Sequence, residues 1–598
     1  MQVRAQGTGV TPAVDGDIDR PVPAGVNAPA FGSDVVADAL RALDIPYIAL
    51  NPGASYRGLH DSLVNYLGNA RPQMLLCLHE ESAIAIAHGY AKVTGKAMLA
   101  AVHSNVGLMH AAMGIFDAWC DRAPMVVLGA TGPVDAAKRR PWIDWIHTAR
   151  DQGALVRDYT KWDDQPALPQ AATEALLRAN WIANTAPMGP TYVNLDAGMQ
   201  EAKLTEQPAP IDAARMMPPA VMAAAPEQID KAVALLRDAK RPVILAGRVS
   251  RSEAAWAARI ALAERLNARV VTDLKVAAAF PTDHPLHTGS PSMIAPVPDA
   301  AAALKEADVI LSLDWVDVAG TLKHIGPTSA RIIQVSVDHL IHRGWSMDYQ
   351  GLPPVDVMLA CEPDMAVPAL LAALPAGKAA TPSARKPNMP MPAGDKLMVD
   401  HLAVALRDAL GSRPNALTHC SLSWNAETWS VRHPLDYLGT EGGGGIGAGP
   451  GVTVGAALAL KGSGRMPVAV CGDGDFLMGV TALWTAVHYR IPLLIVVANN
   501  RSFFNDELHQ ERVARMRNRP AENRWVGQRI SEPDIDLAAM ARAQGAQAFG
   551  PVKAIGDLAA TFAKAIAAVE AGHVAVVDVW VEPGYSAATT AVMTRKSE

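Results

Sequence analysis

The run from Pro467 to Ser502, PVAVCGDGDFLMGVTALWTAVHYRIPLLIVVANNRS, constrains this chain more than any other stretch. Pro467 to Cys471 is an apolar run of strand length, Val480 to Tyr489 carries helical spacing, and Leu493 to Ala498 is a second apolar run too short for a helix. This order predicts a βαβ unit with a right-handed crossover and two parallel strands. Asp473 and Asn500 then leave the carboxyl ends of two strands of one sheet, the edge at which open α/β sheets hold ligands. An aspartate oxygen, an amide oxygen and a nearby backbone carbonyl are hard ligands of the kind Mg2+ takes when phosphate oxygens complete its shell. Gly472 and Gly474 on either side of Asp473 let backbone N–H groups come close to an anion.

With 598 residues the chain is too long for a single core. Half of it is apolar, yet no apolar run approaches the roughly 18 residues that span a bilayer, so a soluble protein with no membrane partner is expected. Lys and Arg number 53 against 59 Asp and Glu, a formal net charge of -6 that gives no general attraction to nucleic acid. The five cysteines, Cys77, Cys120, Cys361, Cys420 and Cys471, form no CxxC pair and lie mostly in apolar runs, which reads as buried free thiols in a reducing, cytoplasmic compartment.

The pattern divides the chain into three doubly wound α/β domains with parallel sheets. Residues 1–33 read as a mobile tail without a signal core, and 34–200 as a first domain. Its predicted strands are Ile45 to Leu50, Met74 to Leu78, Ala97 to Val102 and Met125 to Leu128, and a helix is predicted over Ser82 to Val93. A Pro- and Ala-rich linker covers 201–226, a central α/β domain 227–365 with a helix over Glu253 to Leu266, and a second Pro-rich linker 366–394. The third domain, 395–598, contains the opening run and ends in a polar tail. Successive strand ends of the first domain carry polar groups: Asn51-Pro52-Gly53, His79-Glu80 and His103-Ser104-Asn105.

GDG followed, a helix and a strand later, by Asn499-Asn500 resembles the thiamine-diphosphate-dependent enzymes of the 2-oxo acid decarboxylase and acetolactate synthase group. The likeness extends over nearly the whole chain after residue 34 and implies a pyrimidine-type domain, a central domain and a diphosphate-type domain, in that order. It implies that Asp473, the Asn500 side chain and the Ser502 carbonyl bind Mg2+. Gly472, Gly474 and Asp475, with Ser421 and Phe503, would contact the cofactor, and Ile446 in the Gly-rich run Glu441 to Gly451 would prop it into a bent shape. Glu80 matches the glutamate that shares a proton with the cofactor's pyrimidine ring, a task for a carboxylate in a poorly hydrated pocket. In such enzymes the site lies between two subunits, implying a homodimer at least and a homotetramer by further analogy, with Glu80 of one chain facing Asp473 of another.

Within the group, NPGAS at 51–55, His103-Ser104, FPTDHP at 280–285 and ALWTA at 482–486 look most like benzoylformate decarboxylase. That resemblance gives His103 and His284 proton-transfer roles, suited to a side chain that titrates near working pH. It places Ala54, Ser55, Ser104 and Asn105 around the substrate, and the aromatic and basic run that follows the fourth strand adds Trp142 as a further candidate. Ala54 stands where the decarboxylase has a serine, so benzoylformate itself is not the expected substrate. KRRPWIDW, residues 138–145, reads either as a pocket wall for an acidic or aromatic substrate or as a solvated basic surface. Residues 503–524 read either as a lid or as an exposed helix.

The function expected is decarboxylation of a 2-oxo acid, with release of an aldehyde or transfer of the carbanion to a second carbonyl. The alternatives are a lyase or synthase of the same family acting on an acyl-CoA or 2-hydroxy ketone, and a catalytically silent subunit. No residue pattern supports FAD or another nucleotide in the central domain, although the fold leaves room for one.

Overall fold

The structure is a computed structural model, and it describes residues 18–25, 28–340, 351–375 and 386–585. Three wholly parallel sheets organise the chain. The first comprises β1 (Tyr47–Leu50), β2 (Gln73–Leu76), β3 (Met98–Ala101), β4 (Met125–Thr131), β5 (Asp163–Asp164) and β6 (Pro190–Asp196) in the order β2-β1-β3-β4-β6-β5. The second comprises β7 (Pro242–Ala246), β8 (Arg269–Val271), β9 (Val309–Leu313), β10 (Arg331–Val335) and β11 (Val357–Leu359), ordered β11-β10-β9-β7-β8. The third comprises β12 (Asn415–Cys420), β13 (Met466–Gly472), β14 (Leu493–Asn499), β15 (Gln547–Val552) and β16 (Val574–Trp580), ordered β12-β13-β14-β16-β15. The central strands are apolar and buried along their whole length, as sheets covered on both faces require. The expected class, three doubly wound α/β domains, is the one observed.

Four helices position the site: α1 (Glu80–Thr94), α2 (Ser104–Cys120), α3 (Ala448–Leu460) and α4 (Asp473–Gly479). α1 follows β2 and α3 precedes β13, and the two pack side by side with their amino ends together. They approach backbone to backbone because glycines line the seam. A Cβ on Gly89 would land on the Val452 carbonyl, one on Gly455 on the Ile86 carbonyl, and one on Gly451 within 2.6 Å of Ala85 Cβ. First and third domains consequently share one core, in which Tyr47, Ile84 and Leu108 pack with Val454, Phe476 and Val576.

Three expectations need correction. The helix read over Val480 to Tyr489 is α5 (Ala482–His488), but a further helix not expected from the sequence, α4, precedes it, beginning at Asp473 itself and closing at Gly479, where a Cβ would strike the Gly447 carbonyl. The tail is docked where it is described: Asp19 accepts from Tyr489 Oη at 2.7 Å, its carbonyl accepts from Asn69 Nδ2 at 3.1 Å, and Phe31 bridges Lys203. Residues 1–17 and 26–27 of that tail lie outside the described residues. The central domain runs past 365, since the helix Pro363–Ala373 buries Ala366, Val367 and Leu370 in its core. The middle of the second linker, 376–385, and the C-terminal tail, 586–598, lie outside the described residues. All five cysteines are buried and free, and burial pushes the Cys77, Cys120 and Cys420 thiols up to about 12. Among the described residues no helix is long and apolar enough to cross a membrane.

Candidate active site

Asp473 is the first residue of α4, directly after β13. Its Oδ1 accepts from the Gly474 N–H at 2.9 Å and its Oδ2 from the Ser502 N–H at 3.1 Å. Asn500 Oδ1 accepts from the same Ser502 N–H at 2.9 Å, so one amide gathers a carboxylate and an amide oxygen. Burial drives the Asp473 carboxyl up to about 6, opposed only in part by backbone N–H donors, and among the described residues no Lys, Arg or His pairs with it. A buried carboxylate without a counter-charge, beside a converging neutral oxygen, is a donor set that fits a hard divalent cation. Gly474 is required as well, since a Cβ there would come within 2.6 Å of the Phe503 ring.

The Asp475 side chain points away from this pair. Its Oδ1 accepts from the N–H groups of Gly447 at 2.7 Å and Gly449 at 3.2 Å, closing the Gly-rich run against the amino end of α3. Ile446, in the middle of that run, is 52% exposed. Ser421, just past β12, shares a hydrogen bond with Ser423 at 3.0 Å.

Glu80 opens α1 and is only 8% exposed. His79 caps the helix, its Nδ1 accepting from the Glu81 N–H at 3.2 Å. Glu80 Oε2 lies 3.1 Å from His110 Nδ1, and the other oxygen occupies the space left by Gly107, where a Cβ would approach it to 2.9 Å. The Glu81 carboxyl is raised by burial and then by Asp475, so the amino ends of α1 and α3 sense each other electrostatically. His103 Nδ1 is 2.7 Å from Ser55 Oγ, and its ring stands edge to face with His147 at 4.6 Å. Burial, then His147, holds its pKa below the ordinary imidazole value. Gly53 is needed there because a Cβ would fall on the His103 ring.

The remaining expected residues differ in placement. Ala54 and Ser55 open a 3-10 turn beside His103. Ser104 is buried with φ at 52°, and its hydroxyl bonds Asn105 Oδ1 at 2.8 Å and the His147 carbonyl at 2.9 Å. Trp142 is 71% exposed and stacks on Arg140, which in turn pairs with Asp144 at 2.8 Å. His284 is held inside the central domain, between Glu264 Oε1 at 3.3 Å and the Leu286 N–H at 3.2 Å, and the structure does not bring it to Glu80 or Asp473. Residues 501–530 form an excursion closed by a Ser502–Arg529 bridge. Buried Glu507 anchors it, accepting from Ser502 Oγ at 2.6 Å and pairing with Arg524 at 3.3 Å and Arg529 at 3.4 Å.

Sequence reasoning missed His79 as a cap, His110, His147 and His419. Only His110 carried a signal, since seven residues after His103 it returns to the same face of a helix. A separate cavity of about 660 Å3 lies at the carboxyl ends of the central strands, between Arg248, Arg251, Lys275 and Asp338. Arg122 of the first domain enters it and pairs with Asp338 at 2.9 Å, and Arg248 pairs with Asp338 at 3.0 Å.

Comparison with known proteins matches the three domains in order. Residues 31–155 match the thiamine pyrophosphate enzyme N-terminal TPP binding domain, 229–343 the central domain, and 418–579 the C-terminal TPP binding domain. The chain is 28% identical over 493 residues to an acetolactate synthase large subunit of Corynebacterium glutamicum, covering 78% of this chain and 75% of that one. It is 24% identical over 502 residues to a benzoylformate decarboxylase of Pseudomonas aeruginosa, covering 79% and 86%. The fold is similar to a thiamine diphosphate-dependent 4-hydroxybenzoylformate decarboxylase of Rhodococcus jostii, with a TM-score of 0.76 at 23% identity over 93% of this chain and 100% of that one. The order of the three domains agrees with these matches: the chain belongs to the thiamine-diphosphate-dependent enzymes of the acetolactate synthase and benzoylformate decarboxylase group.

Proposed function

We propose that this protein binds thiamine diphosphate through Mg2+ and decarboxylates a 2-oxo acid, delivering the carbanion to a proton or to a second carbonyl. The cofactor, when bound, supplies the electron sink. Asp473, Asn500 and the Ser502 carbonyl would hold the cation, and the N–H groups around Gly474 and Asp475 the diphosphate. Ile446 would back the cofactor, with Ser421 and Phe503 beside it. Glu80 would exchange a proton with the cofactor ring, and its burial keeps water from competing for that hydrogen bond. His103, neutral at pH 7 and bonded to Ser55, is suited to accept or pass a proton at its free Nε2. His284 has no part in this reading.

The observation that carries the proposal is the buried Asp473 carboxylate converging with the Asn500 side-chain oxygen on the Ser502 N–H, a donor set for a hard cation at a strand end. An acyl-CoA or 2-hydroxy ketone lyase would use the same machinery, and a silent subunit is disfavoured because Glu80, Asp473 and Asn500 are all present. We also infer a homodimer at least: Leu78, Met109, Ile446 and Met478 are large apolar side chains exposed around this edge, which a second copy would cover. Five buried free thiols support a cytoplasmic setting.

A panel of 2-oxo acids, aromatic and aliphatic and including benzoylformate, assayed for CO2 and carbonyl products tests this. Glu80→Gln is expected to cut turnover about 10²–10⁴-fold. Full turnover in Glu80→Gln, or cleavage of acyl-CoA thioesters with no 2-oxo acid consumed, would contradict the reading.

A further inference from the structure

The loop that carries Ile446 is pinned from two domains. Lys92 Nζ, at the far end of α1, donates to the Thr440 carbonyl at 2.6 Å. The Gly445 N–H donates to Asp117 of α2 at 3.2 Å, and the Gly447 and Gly449 N–H groups donate to Asp475 at 2.7 and 3.2 Å. Glu441, at the start of the loop, accepts from His419 Nδ1 at 2.8 Å. The same imidazole faces Asp475 with its other nitrogen, Nε2 lying 3.2 Å from Oδ2. One ring on the penultimate residue of β12 thus joins the two carboxylates that hold the two ends of the loop.

All three side chains are nearly closed off from water, at 7% for His419 and 9% for each carboxylate. Glu441, Asp475 and the Cys471 thiol are the titratable groups gathered at this ring. An imidazole with a carboxylate at each nitrogen serves both only when doubly protonated. Burial alone would push its pKa down, but Glu441 and Asp475 outweigh that and hold it up to about 10.

We propose that His419 is a positioning residue of the cofactor site: a fixed buried cation that lets Asp475 stand in a turn facing a diphosphate, and that sets the Gly-rich loop so that Ile446 is presented to the cofactor. This rests on the reading of the site given above. Remove the imidazole and two buried carboxylates lose their counter-charge, one of them within the turn that must accept an anion.

The test is calorimetric titration of thiamine diphosphate, at saturating Mg2+, into the full-length wild type, His419→Gln, Asp475→Ser and the double variant. His419→Gln is expected to weaken binding at least tenfold while leaving the substrate KM at saturating cofactor within about twofold. The double variant is expected to bind several-fold more tightly than His419→Gln, because of the two uncompensated carboxylates the one within the turn that faces the anion is gone. Wild-type affinity in His419→Gln, or a double variant weaker than either single one, overturns this inference alone. Absence of any binding by the wild type overturns the reading of the site and this inference with it. Should His419→Gln fail to fold, nitrogen NMR of the histidines in the cofactor-free wild type decides. A ring protonated at both nitrogens at pH 8, its signal absent from the folded double variant, supports the proposal, and a neutral ring contradicts it.

Discussion

The positions of Glu80, Asp473 and Asn500 were readable from the sequence because each follows a strand, and a parallel sheet delivers strand ends to one edge. The contact of His284 with Glu264 was not, since Glu264 lies on a helix twenty residues earlier and no local pattern reports it. His110 and His419 act through side chains remote in sequence, Glu80 in one case and Glu441 with Asp475 in the other. His103→Ala is expected to lower kcat about 10²-fold or more with folding intact, read by steady-state kinetics and thermal denaturation. Asp117 offers a prediction for stability. Burial, then Glu441, raises its carboxyl from 3.8 to about 8. The folded state therefore keeps a proton that the unfolded chain releases, so this group's contribution to stability falls as pH rises from about 4 to 8 and is level above that. Asp117→Asn should match the wild type near pH 4 and exceed it by on the order of 5 kcal/mol at pH 9, measured by urea denaturation at both values.

The elements followed from periodicity, with the helix Glu253–Leu266 found at its predicted bounds. What periodicity does not report is how closely two helices approach. The seam between α1 and α3 depends on Gly89, Gly451 and Gly455, and a glycine within a helical pattern reads only as a weak helix former until its neighbour is known. The break at Gly479 has the same origin, a backbone approach from another segment. Gly455→Val would force a side chain onto the Ile86 carbonyl, which has no rotamer by which to yield. A loss of about 3 kcal/mol or more is expected, with reduced cofactor affinity because both helix starts at the site move. Denaturation midpoints and calorimetry check the two effects.

At the scale of the whole molecule, three parallel-sheet domains were legible, because apolar strands alternating with helices admit little else. The docking of Asp19 on Tyr489 was not, since the segment's composition resembles a mobile tail and only tertiary contacts hold it. Light scattering is expected to give at least twice the mass of one chain, and a monomer that remains active would contradict a site shared between copies. On the proposed function, the Asp473 end of this molecule holds the cofactor and the Glu80 end activates it. The direct measurement is thiamine diphosphate titration with Mg2+, followed by CO2 release from a turned-over 2-oxo acid in the same samples, for the wild type, Glu80→Gln and Asp473→Ala. Binding with turnover is expected in the wild type, binding without turnover in Glu80→Gln, and neither in Asp473→Ala. Undiminished Mg2+-dependent binding in Asp473→Ala, or undiminished CO2 release in Glu80→Gln, would contradict the proposed function.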